Sequence, residues 1–184
     1  MRINHVRTVF PGDSLEENVE RIHKHNNTST MFGELYNVGK LNMLSTRGIY
    51  YPQIHDLIIC RIFYKCSDFY KCDINGHIGL LPALSFKDAS KRNKPELEVG
   101  DYVIGKVVKI CSEVLITCND NNLGKIEGYL DSFSLPQIKR LYLGEINEIG
   151  KRFKCDMWIG LNGKICCSGD PLVVNEVFKY IHNI

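Results

Sequence analysis

Between residues 56 and 118 the sequence passes through five short segments in which apolar residues alternate with polar ones or crowd together without a helical period: DLIICRIFYKC, DFYKCDI, HIGLLPAL, DYVIGKVVKIC and EVLITC. Their wealth of β-branched and aromatic residues predicts strands. The first two are joined at Ser67-Asp68, and the second and third at Asn75-Gly76, a pair that tolerates the positive φ of a tight hairpin turn. Only the third and fourth are far apart, across SFKDASKRNKPELEVG. Five short strands with one long connection constrain the chain to a small closed barrel of the OB type, whose strand face and loops commonly hold oligonucleotides.

The flanks read differently. Residues 1–51 hold a polar, asparagine-rich tract, ENVERIHKHNNTST, expected to be an insertion outside the core, between short strands punctuated by Gly12, Gly33, Gly39 and Gly48. In residues 120–184, a short strand near GKIEGYL precedes Leu135, Ile138, Leu141 and Tyr142 at helical spacing, with Pro136 suited to a first turn. Two strand-like pieces, FKCDMWI and KICCS, surround Gly160-Leu161-Asn162-Gly163. Asp170-Pro171 then opens a last helix, with Asp170 as N-cap and Pro171 at the first helical position. The expected fold class is mixed, mainly β with α+β: an amino-terminal β domain (1–51), a five-stranded barrel (52–119) and a carboxy-terminal α+β domain (120–184).

Composition sets limits on function. Basic and acidic residues number 6 against 5, 9 against 8, and 8 against 8 in the three segments, so net charge singles out none of them as a nucleic-acid binder. Any such affinity must come from a local patch. No apolar run approaches the roughly 20 residues needed to cross a bilayer, and the amino terminus lacks the pattern of a secretory signal, so no membrane role is expected. The eight cysteines form no C-x-x-C pair and are read as reduced packing residues, and neither structural zinc nor any other cofactor is expected.

Four stretches, FPGDSL at 10–15, YKCDINGHIGLLPALSF at 70–86, SKRNKPELEVGDYVIGKV at 90–107 and GLNGKI at 160–165, together resemble the exosome cap subunit family known as ribosomal RNA-processing protein forty. The run Ser90-Lys91-Arg92-Asn93-Lys94-Pro95 is the most specific of these. The resemblance implies an amino-terminal domain, an OB barrel of the ribosomal S-one type and a KH-like domain, assembled as a hetero-oligomer with RNase PH-like ring subunits and other cap subunits. It further implies a non-catalytic protein that guides single-stranded RNA into that complex, in the nucleus, nucleolus included, and the cytoplasm. A purely structural clamp that touches no RNA is the alternative.

Two sets of residues are candidates for RNA contact. Lys87, Lys91, Arg92 and Lys94 place four positive charges within eight positions, and Lys106 and Lys109 follow on the next strand. Such a patch would neutralise phosphates without reading sequence, or equally would meet nearby acids or an acidic neighbouring subunit. Phe63, Tyr64, Phe69 and Tyr70 flank the first hairpin of the barrel; strict alternation would bury one of each pair and expose the other, where a ring could stack on a base or only support the hairpin.

The Gly160-x-Asn162-Gly163 segment, with Lys164 beside it, matches the spacing of a KH phosphate loop, which works by joining two helices. Its flanks here are strand-like, so the expected role is a turn or a domain contact. Asp68, Asp73, Asp101 and Asp156 form no cluster of metal-ligand spacing, and no nucleophile elbow or P-loop occurs, so no catalysis is expected.

Overall fold

The computed structural model describes residues 3–10, 12–15, 24–25, 28–29, 33–38, 41–45 and 50–184. An amino-terminal sheet takes the order β1–β4–β5, built from β1 (Ile3–Val9), β4 (Gly33–Val38) and β5 (Leu41–Ser45), all antiparallel. Between its first two strands, β2 (Lys24–His25) pairs with β3 (Thr28–Ser29). Those four residues are the described part of the polar insertion; the rest of 18–30, like Gly39 and Gly48, lies outside the described residues. Val9, Leu15 and Leu35 form the small core of this unit.

The central sheet closes on itself. β6 (Leu57–Lys65), β7 (Phe69–Ile74) and β8 (His77–Pro82) form a meander, β9 (Tyr102–Ile110) pairs back onto β6, and β10 (Val114–Thr117) bridges β9 and β8, parallel to the latter. Alternation decides what points inward: Ile58, Cys60, Ile62, Tyr70, Cys72, Ile74, Leu81, Val103, Val107, Val114 and Ile116 fill the interior. The long connection closes one end, where Phe86 and Leu97 are buried. The fold is therefore mainly β around a closed five-stranded barrel, as the strand pattern required. A sixth strand, β11 (Gly124–Ile126), pairs with β9, so the barrel sheet continues past residue 119.

β12 (Tyr129–Ser132), β14 (Lys164–Ser168) and β13 (Asp156–Ile159) make a third sheet in that spatial order. Helices α1 (Leu135–Arg140), α2 (Ile146–Arg152) and α3 (Pro171–His182) cover one face of it through Ile138, Leu141, Ile149, Val174, Val177 and Ile181. Asp170 caps α3 by accepting the Leu172 amide at 2.8 Å, with Pro171 following at the first helical position. The first two helices are joined by a widened turn, Leu141–Glu145, in which Gly144 takes φ 145°. Tyr142, expected on the apolar face, is half exposed at this turn, its hydroxyl directed to the Ile159 carbonyl. The other face of the sheet presents Cys166 to Ile59, Ile104 and Ile126, outward residues of the barrel that are buried only because this sheet lies on them.

All eight cysteines are free thiols, and Cys60, Cys72, Cys118, Cys166 and Cys167 are buried. Burial pushes the Cys167 thiol up to about 12, while the Asp68 amide beside Cys66 draws that thiol below its ordinary value. Alkylation of the native protein near pH 8 is expected to modify Cys66 and exposed Cys111 well before the five buried thiols, because the thiolate is the reactive form. Mass spectrometry of the partly alkylated chain checks the order; early modification of Cys60 or Cys72 would contradict the closed barrel.

Candidate nucleic-acid interface

The long connection from Ala83 to Gly100 is held against the β6–β7 hairpin by its own polar groups. The Ala83 amide donates to the Asp68 carbonyl at 2.9 Å, the Lys94 ammonium to the Ser67 carbonyl at 2.7 Å, and the Tyr70 hydroxyl to the Pro95 carbonyl at 2.7 Å. Lys65 meets Glu98 at 2.6 Å, and the Glu98 amide, donating to Asp101 at 2.8 Å, holds the Asp101 carboxyl below its usual range. The basic run and the aromatic residues thus meet at one end of the barrel, although some 25 positions separate them in sequence.

The six basic candidates do not share one fate. Lys94 is paired with Asp68 at 3.3 Å and Lys106 with Asp120 at 3.4 Å. Lys87 is exposed and bonded to the neutral Asn121 side chain, and it makes no ion pair among the described residues. Lys91 and Arg92 are exposed and make no ion pair among the described residues, and the same holds for Lys109. Lys109 lies at the opposite end of the barrel, since Lys106 is already level with Leu57 at the start of β6. Elsewhere on the barrel Lys71 is bound to Glu113 at 2.6 Å and Lys125 to Asp101 at 3.1 Å.

Among the aromatic residues, Phe69 is half buried and Tyr70 buried, in keeping with alternation. Phe63 and Tyr64 break the rule: both are exposed. The register slips between Ile62 and Tyr64, and this bulge places two consecutive side chains outside. Arg61, absent from the sequence candidates, is exposed on the same strand, opposite Asp73 on one side and Tyr102 on the other, and makes no ion pair among the described residues. Its signal was its place two residues before Phe63, where alternation puts it on the outer face.

Gly160, Asn162 and Gly163 lie in the β13–β14 hairpin and are buried, and half-buried Lys164 begins β14. The Asn162 side chain accepts from the Ile59 amide at 3.1 Å and donates to the Ile59 carbonyl at 2.8 Å and to the Asn75 side chain at 3.2 Å; Asn75 returns a bond to the Asn162 carbonyl at 2.7 Å. The β6–β7 pairing runs from the hairpin only as far as Arg61 and Asp73, because β7 then turns away at Asn75-Gly76. Asn162 continues that ladder at Ile59, and the Gly160, Leu161 and Gly163 amides of the turn donate to the Lys164, Leu57 and Gly160 carbonyls rather than to a phosphate. Gly160 leaves room for it, since a Cβ there would meet the Asn162 carboxamide and the Ile59 amide.

Among the described residues no three His, Cys, Asp or Glu side chains converge as a metal site, and no helix is long and apolar enough to cross a membrane.

Residues 50–129 match the family model described as exosome complex component RRP40, S1 domain. Over 156 residues, 76% of this chain and 65% of the relative, the chain is 28% identical to exosome complex component rrp40 of Schizosaccharomyces pombe. Over 129 residues, 63% of this chain and 47% of the relative, it is 32% identical to the human component RRP40. An archaeal Rrp4 from Methanothermobacter thermautotrophicus is 26% identical over 92% of this chain and 59% of its own length. The chain thus spans between about half and two thirds of the length of these relatives. A crystal structure described as a candidate exosome complex RNA-binding protein shares the fold, with a TM-score of 0.61 and 21% identity over 72% of this chain and 85% of the other.

Proposed function

Because residues 50–129 match the S1-domain model of the exosome complex component RRP40, we propose that the chain is a non-catalytic RNA-binding cap subunit of an RNA exosome, guiding single-stranded RNA toward nucleases carried by other subunits. The observation that carries the RNA part is the state of the basic run: its loop is fixed on the β6–β7 hairpin, yet Lys91 and Arg92 stay exposed and uncompensated. A few free cations on a nearly neutral barrel give weak, sequence-independent phosphate contact, which lets RNA slide; dense base readout would hold it in place.

The same reading divides the chain into an amino-terminal β domain (1–51), the S1 barrel (52–119), whose sheet β11 extends, and a KH-like domain (120–184) in which the GLNG turn is structural. It places the protein in a hetero-oligomer with RNase PH-like ring subunits and other cap subunits, in nucleus and cytoplasm.

Purification of the tagged chain from its native cell, beside a version with Lys91, Arg92 and Lys94 changed to Ala, tests this reading. Recovery of RNase PH-like subunits with both versions, and loss of RNA crosslinks from residues 60–110 in the variant alone, is the expected result. Absence of those subunits from both would refute the exosome assignment, and their loss from the variant alone would make the run an assembly contact.

A further inference from the structure

The dipeptide Asn-Gly occurs twice in the sequence, at Asn75-Gly76 and at Asn162-Gly163. No other dipeptide loses ammonia so readily, because glycine has no side chain to keep its nitrogen from the carboxamide of the asparagine before it. The fold brings the two copies together, although they are 87 positions apart, one on the β7–β8 hairpin of the barrel and the other on the β13–β14 hairpin. Nδ2 of Asn75 donates to the Asn162 carbonyl at 2.7 Å, and Nδ2 of Asn162 donates to Oδ1 of Asn75 at 3.2 Å.

Their surroundings differ. Asn162 is 2% exposed, its carboxamide is engaged by both main-chain groups of Ile59, and the Gly163 amide donates to the Gly160 carbonyl at 3.1 Å. Asn75 and Gly76 are exposed, and a side chain begun at Gly76 would meet nothing within 4 Å. Two contacts hold this copy in an unreactive form. The Gly76 amide donates to Oδ1 of exposed Asp73 at 2.9 Å, which occupies the attacking nitrogen, and Asn162 holds the carboxamide it would attack. Asn75 is released whenever the β13–β14 turn parts from the barrel, a local opening that stops short of unfolding.

We propose that Asn75 is a deamidation site gated by the junction between the barrel and the carboxy-terminal sheet. In the opened chain the Gly76 nitrogen attacks Cγ of Asn75. The new N–Cγ bond closes a succinimide, the Cγ–Nδ2 bond breaks, and ammonia leaves with the proton that the nitrogen gave up. Water then adds to one of the two ring carbonyls, giving isoaspartate or aspartate; the sum is amide plus water to acid plus ammonia. Either product lacks the Nδ2 donor, so the Asn162 carbonyl loses its partner, and in the aspartate form it faces a group that only accepts. The isoaspartate form also adds a methylene to the main chain of a two-residue turn whose length sets the register of β7 on β8. Conversion therefore leaves the junction loosened and marks chains in which it has opened.

The test ages the full chain in warm, weakly alkaline buffer. Residues 75 and 162 are followed by mass spectrometry of peptides cut under acidic conditions, where digestion adds no deamidation, and isoaspartate is labelled with an isoaspartyl methyltransferase. The native chain is expected to convert at Asn75 and not at Asn162, and about tenfold or more slowly than the same chain unfolded in urea. Asn162→Ala is expected to speed conversion at Asn75 by roughly tenfold, the factor that loss of one or two hydrogen bonds carries. The converted fraction, separated by its added negative charge, is expected to melt below the fresh protein. Absence of conversion at Asn75 even in urea would overturn the site. Equal rates in native and unfolded chain, or a rate that Asn162→Ala leaves unchanged in a folded chain, would overturn the gate. If Asn162→Ala does not fold, a series of low urea concentrations on the native chain takes its place, and conversion that begins only with global unfolding overturns the gate. A converted fraction that melts with the fresh protein would overturn the loosening.

Discussion

Changing Asn162 to Ala is expected to destabilise the chain by about 2–5 kcal/mol, since it strands the amide and carbonyl of Ile59, each costing about 1–3 kcal/mol when buried without a partner. For a chain of this length such a loss lowers the thermal midpoint by roughly 10 °C. Asn162→Asp should be no rescue: a carboxylate accepts from the Ile59 amide but faces the Ile59 carbonyl with a second acceptor. Thermal unfolding followed by circular dichroism measures the effect. An unchanged midpoint in both variants would mean that the turn does not tie the barrel to the carboxy-terminal sheet. A phosphate-binding role for the segment predicts the opposite pattern, with stability intact and RNA affinity reduced.

The second large effect is expected inside the barrel. Gly79 on β8 approaches its neighbours so closely that an added Cβ would lie 2.6 Å from Cδ1 of Ile116, 2.7 Å from Sγ of Cys72 and 2.8 Å from Cδ1 of Ile74. Gly105 on β9 meets the same Ile116 from another strand, its Cβ falling 2.5 Å from Cγ2. Overpacking a filled core costs typically 1–3 kcal/mol, and a branched side chain facing three filled positions belongs at or above the top of that range. Gly79→Val is therefore expected to destabilise by about 3 kcal/mol or more. Gly79→Ala should cost less when Ile116 is first shortened to Val, which removes Cδ1. A double-mutant cycle by urea unfolding reads the coupling, and additive effects would show that Ile116 does not set the limit.

Much of the barrel was legible because its signals are local. Alternation along DLIICRIFYKC and DYVIGKVVKIC places Ile58, Cys60 and Ile62, and Val103 and Val107, in the core, and Asn75-Gly76 supplies the positive φ of 50° and 94° that the hairpin uses. The outward positions Ile59 and Ile104 were also apolar, but alternation could not say why; the answer is the sheet packed on them. The same holds for GLNG. Its strand-like flanks revealed a turn, while the partner of Asn162 lies 103 residues away in sequence.

The basic candidates show a similar division. The sequence presents six equivalent positive charges, and it is the fold that brings Asp68 to Lys94 and Asp120 to Lys106 while Lys91 and Arg92 make no ion pair among the described residues. By itself, then, the sequence determined which residues face inward, where the tight turns fall and that a closed barrel results, because pleat, helical period and turn chemistry act over a few residues. Tertiary structure alone decided which charges remain free, that Phe63 and Tyr64 point outward together, and that Asn162 completes the ladder of β6. Each of those outcomes depends on a partner or a register shift supplied by a distant strand, and no local pattern records it.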